Sequence, residues 1–293
     1  MEFFEEHANL AEIPILTHYS NLLHVCLTNN NIRKIDNLPP SLRTIDLQDN
    51  LLTEIENLPH SLMSLYLAHN QITEIKNLPQ SLIRLDLSIN KITKIENLPQ
   101  SLNELYVNNN QITEINNLPL CLTHLELCTN QITKLENLPQ TLTNLSLANN
   151  QITKIENLPQ SLLYLTLNGN QITKIENLPQ SLRNLMLGKN KIKEIKNLPQ
   201  NLTLLSLTHN QIQKIENLPT SLKALGLNNN KITKIKNLPQ SLRELTIIDN
   251  PINDIITMPL FIHMHDINII AYALQLDLLF DYNYDKLIES PPF

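Results

Sequence analysis

Leucine and isoleucine return along this chain at a fixed set of offsets, and the whole set repeats every 20 residues. The copy NLPQTLTNLSLANNQITKIENL, residues 137–158, shows it with apolar side chains at Leu142, Leu145, Leu147, Ile152, Ile155 and Leu158. Each position heads a column: Leu22 to Leu242, Val25 to Leu245, Leu27 to Ile247, Ile32 to Ile252, Ile35 to Ile255 and Leu38 to Met258. The Leu145-x-Leu147 step is a period of two, which is a strand with one face turned inward. Asn-Leu-Pro follows about ten residues later, and proline there fixes φ and removes a backbone donor. The second limb of each unit is therefore predicted to be extended and polyproline-like. Twenty residues leave no room for a helix between limbs, so the pattern predicts stacked short strands in one elongated domain.

The polar positions repeat as strictly. Asn30, Asn50, Asn70, Asn90, Asn110, Asn130, Asn150, Asn170, Asn190, Asn210, Asn230 and Asn250 stand at a period of 20 without insertion or deletion. A carboxamide carries two donors and an acceptor. Placed where the chain turns after the strand, it can satisfy buried backbone groups of its own coil and of a neighbour. We assign Asn50 through Asn230 to this structural ladder. A second column, Asn37 to Asn237, precedes Leu-Pro and is expected to do similar work at the opposite corner.

The motif L-x-x-L-x-L-x-x-N-x-I, carried by Leu142, Leu145, Leu147, Asn150 and Ile152, resembles the leucine-rich repeat family over about residues 21–260. The Asn-Leu-Pro-x-Ser-Leu lead-in is similar to the short 20-residue subclass found in bacterial effectors and giant-virus repeat proteins. The resemblance implies a mostly β solenoid of the α/β repeat type. Its form is a horseshoe with a parallel concave sheet and an extended convex side. It also implies a role in holding a protein partner. Effectors of this subclass that are ubiquitin ligases carry a further catalytic domain with a cysteine nucleophile. No cysteine lies beyond Cys128 and the sequence ends at residue 293, so ligase activity is not expected of this chain.

The two ends leave the pattern. A solenoid needs its terminal apolar faces covered by atypical units, which divides the chain into an N-terminal cap (1–20), about twelve repeats (21–260) and a C-terminal cap (261–293). Phe3, Phe4, Ala8, Leu10 and Ala11 could line one face of a short helix, with Glu2, Glu5 and Glu6 outward. At the other end, Ile262, His265, Ile267 and Ile270 could make a degenerate repeat. Alternatively, Asp266 could cap a helix from Ile267 to Phe280. His263 and His265 lack the carboxylate or cysteine partners that a metal site requires.

Composition narrows the function. A net charge of -6 disfavours nucleic-acid backbones and anionic membranes. The acidic start MEFFEEHANL is no classical secretory signal, and no apolar run reaches the roughly 20 residues of a membrane helix. Cys26 and Cys128 fall five coils apart, about 24 Å at ~4.8 Å per strand, beyond disulfide reach. Free thiols fit a reducing compartment, so the expectation is an intracellular monomer, cytoplasmic or, if viral, in the host cytoplasm. No cofactor or metal is expected.

Because the repeats are nearly identical, the informative positions are those that vary, chiefly the outward strand residues. Asp46, Tyr66, Asp86, Glu104, Tyr106, His124, Glu126, Tyr164 and Met186 are the candidate partner-binding residues of the concave face. Tyrosines are favoured at interfaces. Charge is also segregated. Asp46, Asp49, Asp86, Glu104 and Glu126 outweigh Arg43 and Arg84 in the first half; Arg183, Lys189, Lys223 and Arg243 outweigh Glu244 and Asp249 in the second. The reading is a non-enzymatic scaffold for an unidentified protein. Two alternatives stand beside it: an adaptor that recruits a ubiquitin ligase or other enzyme in trans, and a hydrolase using the concave carboxylates. Against the hydrolase, no glycine-rich phosphate loop, nucleophile elbow or metal cluster accompanies those carboxylates.

Overall fold

The computed structural model describes residues 1–255 and the strand His263–Met264. Fourteen short strands stack side by side in a single parallel sheet, and a second, two-stranded sheet joins Lys234–Ile235 to Asp254–Ile255. No helix occurs among the described residues. Through the repeats the register is one strand per period, so that Leu125, Leu145 and Leu165 pair in turn. In each three-residue strand of the repeats the middle residue is buried and its two neighbours face out, as in Asn144–Ser146. Six apolar side chains per coil close the interior: Leu142, Leu145, Leu147, Ile152, Ile155 and Leu158 are all buried. A single coil offers these side chains no second layer; stacking supplies it.

The asparagine ladder does what its chemistry allows. Asn150 donates through Nδ2 to the carbonyls of Leu127 (2.9 Å), Leu147 (3.1 Å) and Ala148 (3.3 Å). Its Oδ1 accepts from the N–H of Ile132 at 3.0 Å. The neighbour it ties is thus the coil before it. The same set recurs at Asn50, Asn70, Asn90 and onward to Asn230.

Asn37 to Asn237 differ from that ladder. Asn37, Asn57, Asn77, Asn97, Asn117, Asn137, Asn157, Asn177, Asn197, Asn217 and Asn237 all have φ between 52° and 61°. Asparagine is one of the few residues with a side chain that visits this left-handed region readily. Several also hydrogen-bond to the previous coil, for example Asn157 Nδ2 to Leu135 O at 3.1 Å. A third ladder follows the proline: Ser161 Oγ lies 2.7 Å from Gln140 O and 2.6 Å from Leu142 O. Cys121 occupies this serine column, its Sγ 2.9 Å from Gln100 O, which accounts for a cysteine at that position.

The residue before each ladder asparagine is also left-handed, whatever its identity. Asn149 has φ 55° and Asp49 54°, but so does Ile89 at 55°. A β-branched side chain there is a genuine outlier, and Ile89 is 48% exposed, so no burial offsets it. Ile89→Asn is expected to stabilise the protein by about 1 kcal/mol, the lower end of the left-handed penalty, read as a raised urea midpoint at constant slope.

The N-terminus departs from the helical expectation. Glu2–Phe4 is a strand, paired in parallel with His24–Cys26. Phe3 pairs with Val25 at a spacing of 22, and at that same spacing Ile13 and Leu16 match Ile35 and Leu38. Strand formation satisfies the otherwise bare edge of His24–Cys26, which a helix could not do. At the other end Met264, rather than His265, pairs with Leu245, a step of 19. The helix expected at Ile267–Phe280, the rest of the 261–293 cap and the side chains of His263 and His265 lie outside the described residues.

Candidate protein-binding face

Outward strand residues form two columns across the sheet. One reads Asp46, Tyr66, Asp86, Tyr106, Glu126, with each residue directly paired to the next. The parallel register thus turns every-twentieth-residue spacing into a row of alternating acids and tyrosines. The neighbouring column supplies Arg84, Glu104, His124 and Tyr164.

A hydrogen-bonded cluster spans three strands of this face. Arg84 reaches Glu104 at 2.7 Å and Tyr66 Oη at 3.3 Å, and Tyr106 Oη donates to Glu104 Oε2 at 2.9 Å. The Arg84 guanidinium, together with the Tyr106 hydroxyl, holds the Glu104 carboxyl below the usual range despite partial burial. Burial, then the adjacent Glu104, pushes the Tyr106 phenol up to about 12. Arg84 is itself strengthened as a cation by Glu104 and Tyr66. The pair is internally neutral and orients both tyrosines.

Asp46, Asp86 and Glu126 are held differently, by neutral donors. Gln48 gives Asp46 its backbone N–H at 3.0 Å and its Nε2 at 3.1 Å. Ser88 N–H donates to Asp86 at 2.9 Å, and Asn108 Nδ2 to Glu126 at 2.8 Å. Among the described residues none of the three carboxylates has a salt-bridge partner. Burial, reinforced by Asp86 and Glu6 and opposed by the Gln48 hydrogen bonds, raises the Asp46 carboxyl above its ordinary value. The face therefore carries fixed, oriented negative charge without an internal cation to match it.

Beyond Glu126 the face dips. His124, Glu126, Asn144, Ser146, Tyr164 and Thr166 line a depression of about 200 Å³, opened by the small Ser146 between larger neighbours. Tyr164 stands 44% exposed on its far rim. Of the nine candidate residues, eight gather between Asp46 and Tyr164. Met186 lies three strands past Glu126 and joins none of these contacts.

Sequence reasoning missed Gln48 and Asn108, whose only signal is a carboxamide two residues after the strand in a column otherwise mostly small. It also missed Phe4, which the strand Glu2–Phe4 places in the same column as Cys26 and Asp46, 59% exposed. Burial, then Glu6, pushes the Cys26 thiol above its ordinary value, outweighing the Thr28 contacts, which disfavours the thiolate form. Among the described residues no three His, Cys, Asp or Glu side chains approach as a metal site requires, and no helix is long and apolar enough to cross a membrane.

The molecule is a mostly β solenoid of about 13 turns with a 20-residue period and the leucine-rich repeat fold, and its structural neighbours are leucine-rich repeat proteins, bacterial effectors among them. It is similar in structure to YopM from Yersinia enterocolitica, 29% identical with a TM-score of 0.77, covering 86% of this chain and 60% of that one. YopM of Yersinia pestis, a leucine-rich effector, matches at 27% identity and a TM-score of 0.72, covering 84% of this chain and 77% of its own. The leucine-rich repeat part of FLRT2, solved in an octameric complex with latrophilin 3 and Unc5D, shares the fold at 23% identity and a TM-score of 0.61, with 83% of this chain and 80% of that one covered. No protein-family model and no curated protein sequence matches the chain.

Proposed function

We propose that this protein is a non-enzymatic, intracellular scaffold that holds a protein partner on its concave face, between Asp46 and Tyr164. The observation that carries the reading is the row Asp46, Tyr66, Asp86, Tyr106, Glu126. It is a run of oriented acids and tyrosines, the acids uncompensated by any salt-bridge partner among the described residues, on a sheet whose inward column repeats almost without change. The fold's likeness to a repeat protein solved within a multi-protein complex supports it. The scaffold acts as a monomer in this reading, because Glu2, Glu5 and Glu6 surround the first edge strand and oppose edge-to-edge pairing.

The test is affinity capture with the intact chain beside a variant carrying Tyr66→Ala, Tyr106→Ala and Tyr164→Ala. Interface tyrosines commonly cost more than about 1 kcal/mol each on truncation, so specific partners should fall at least tenfold in the variant. An identical set of partners at equal recovery removes the concave face from the proposal.

A further inference from the structure

The acid–tyrosine row has a spacing as well as a charge, and the spacing selects among peptide conformations. Its carboxylates occupy every second strand, at Asp46, Asp86 and Glu126, with Tyr66 and Tyr106 on the strands between. At ~4.8 Å per strand, neighbouring carboxylates repeat at about 9.6 Å and the whole row spans roughly 19 Å.

A ligand chain lying along this row must present like side chains to the sheet at that interval. A β-strand returns to one face every two residues, about 6.7 Å, and every four, about 13.4 Å, so neither step fits. An α-helix returns after seven residues, about 10.5 Å, and drifts by nearly 2 Å over two steps. A polyproline-II helix returns every three residues, about 9.3 Å, and drifts by only about 0.6 Å over the same distance.

The side chains agree with that choice. Polyproline-II ligands dock on aromatic rows, where their preformed backbone lowers the ordering cost. Tyr66 and Tyr106 sit half a period from the acids, where the two residues between successive cations would fall. Arg84, the cation nearest the row, is engaged by Glu104 and Tyr66 and leaves Asp86 unmatched. Asp46 and Glu126 are fixed by Gln48 and Asn108, which orient them without neutralising them.

Resting on the concave-face reading above, we propose that the partner presents a polyproline-II segment with arginine or lysine at every third position. Successive cations meet Asp46, Asp86 and Glu126, and prolines between them pack on Tyr66 and Tyr106. Seven residues span the row, and the depression beside Tyr164 receives the segment that continues past Glu126.

The probe is a labelled twelve-residue peptide of four Arg-Pro-Pro units, titrated into the intact chain by fluorescence anisotropy. Its control is the isomer with the four arginines together and the eight prolines after them. The repeating peptide should bind at least tenfold more tightly than the isomer. Asp86→Asn and the double variant Tyr66→Ala, Tyr106→Ala should each weaken it tenfold or more, while Glu156→Gln on the opposite side should leave it unchanged. Equal binding of both isomers, lost together in Asp86→Asn, overturns the every-third-residue ligand and leaves the concave face as a docking surface. Failure of both peptides to bind, with partner capture still dependent on the three tyrosines, likewise overturns the polyproline ligand alone. If capture is also indifferent to the tyrosines, both readings fall.

Discussion

Asn150→Leu is expected to lower global stability by about 2–4 kcal/mol, although the substitution barely changes side-chain volume. The hydrogen-bond pattern sets that figure. Oδ1 of Asn150 accepts from Ile132 N–H, for which no other acceptor is found, and a buried donor left bare costs about 1–3 kcal/mol. The carbonyls of Leu127, Leu147 and Ala148 fare better, because each keeps one donor: Asn130, Asn170 and the N–H of Thr129 respectively. Their loss is therefore nearer a net hydrogen bond, about 1 kcal/mol or less apiece. Position along the solenoid decides what that cost does. Asn30 makes the same bonds to Glu5, Leu27, Thr28 and Leu10, but the coil it ties is the first. In a nearest-neighbour array, Asn30→Leu should release residues 2–16 to hydrogen exchange while the urea midpoint hardly moves. Asn150→Leu should instead move the midpoint. Equal midpoints for the two variants would mean the ladder contributes no coupling between coils.

That contrast also marks how far the amino-acid order alone could be read. The columns headed by Leu22, Val25, Leu27, Ile32 and Ile35 and the ladder asparagines declare the coil, because a period of 20 leaves each inward side chain only one kind of neighbour. The N-terminal strand was hidden by coincidence. Phe3, Phe4, Ala8, Leu10 and Ala11 mimic a helical face, and their true match to Val25 and Ile32 runs at 22 residues rather than 20. The left-handed turn before each ladder asparagine was hidden because its occupants share no chemistry: Asp49, His69, Ile89, Thr129 and Lys189 all adopt it. At the candidate site, membership of the face follows from the alternation of the strand. The pairing of Arg84 with Glu104, and the donation from Asn108 to Glu126, depend on side-chain reach between strands 18 or 20 residues apart, which the one-dimensional pattern does not encode.

Repetition makes it possible to remove part of the face without touching the rules of the fold, and the expected effect is the largest available. Excision of residues 211–230 joins Asn210 to Lys231, and excision of residues 91–110 joins Asn90 to Gln111; both keep every column in phase. Each deletes one coil and one interface, so at about 0.05–0.15 kcal/mol per residue the two should lose a similar 1–3 kcal/mol or so. Their effects on binding should diverge. The first removes Ala224 and Gly226, small residues far from the acid–tyrosine row, and should capture partners like the intact chain. The second removes Glu104 and Tyr106, leaves Arg84 without its carboxylate and sets Asp86 directly beside Glu126. Neighbouring carboxylates then repel each other, Arg84 is freed to neutralise one of them, and the two-strand spacing is gone. Partner capture should be lost altogether. Matching urea midpoints with capture retained only by the 211–230 excision would separate scaffold from site within one uniform fold. Capture surviving both excisions would place recognition elsewhere on the solenoid.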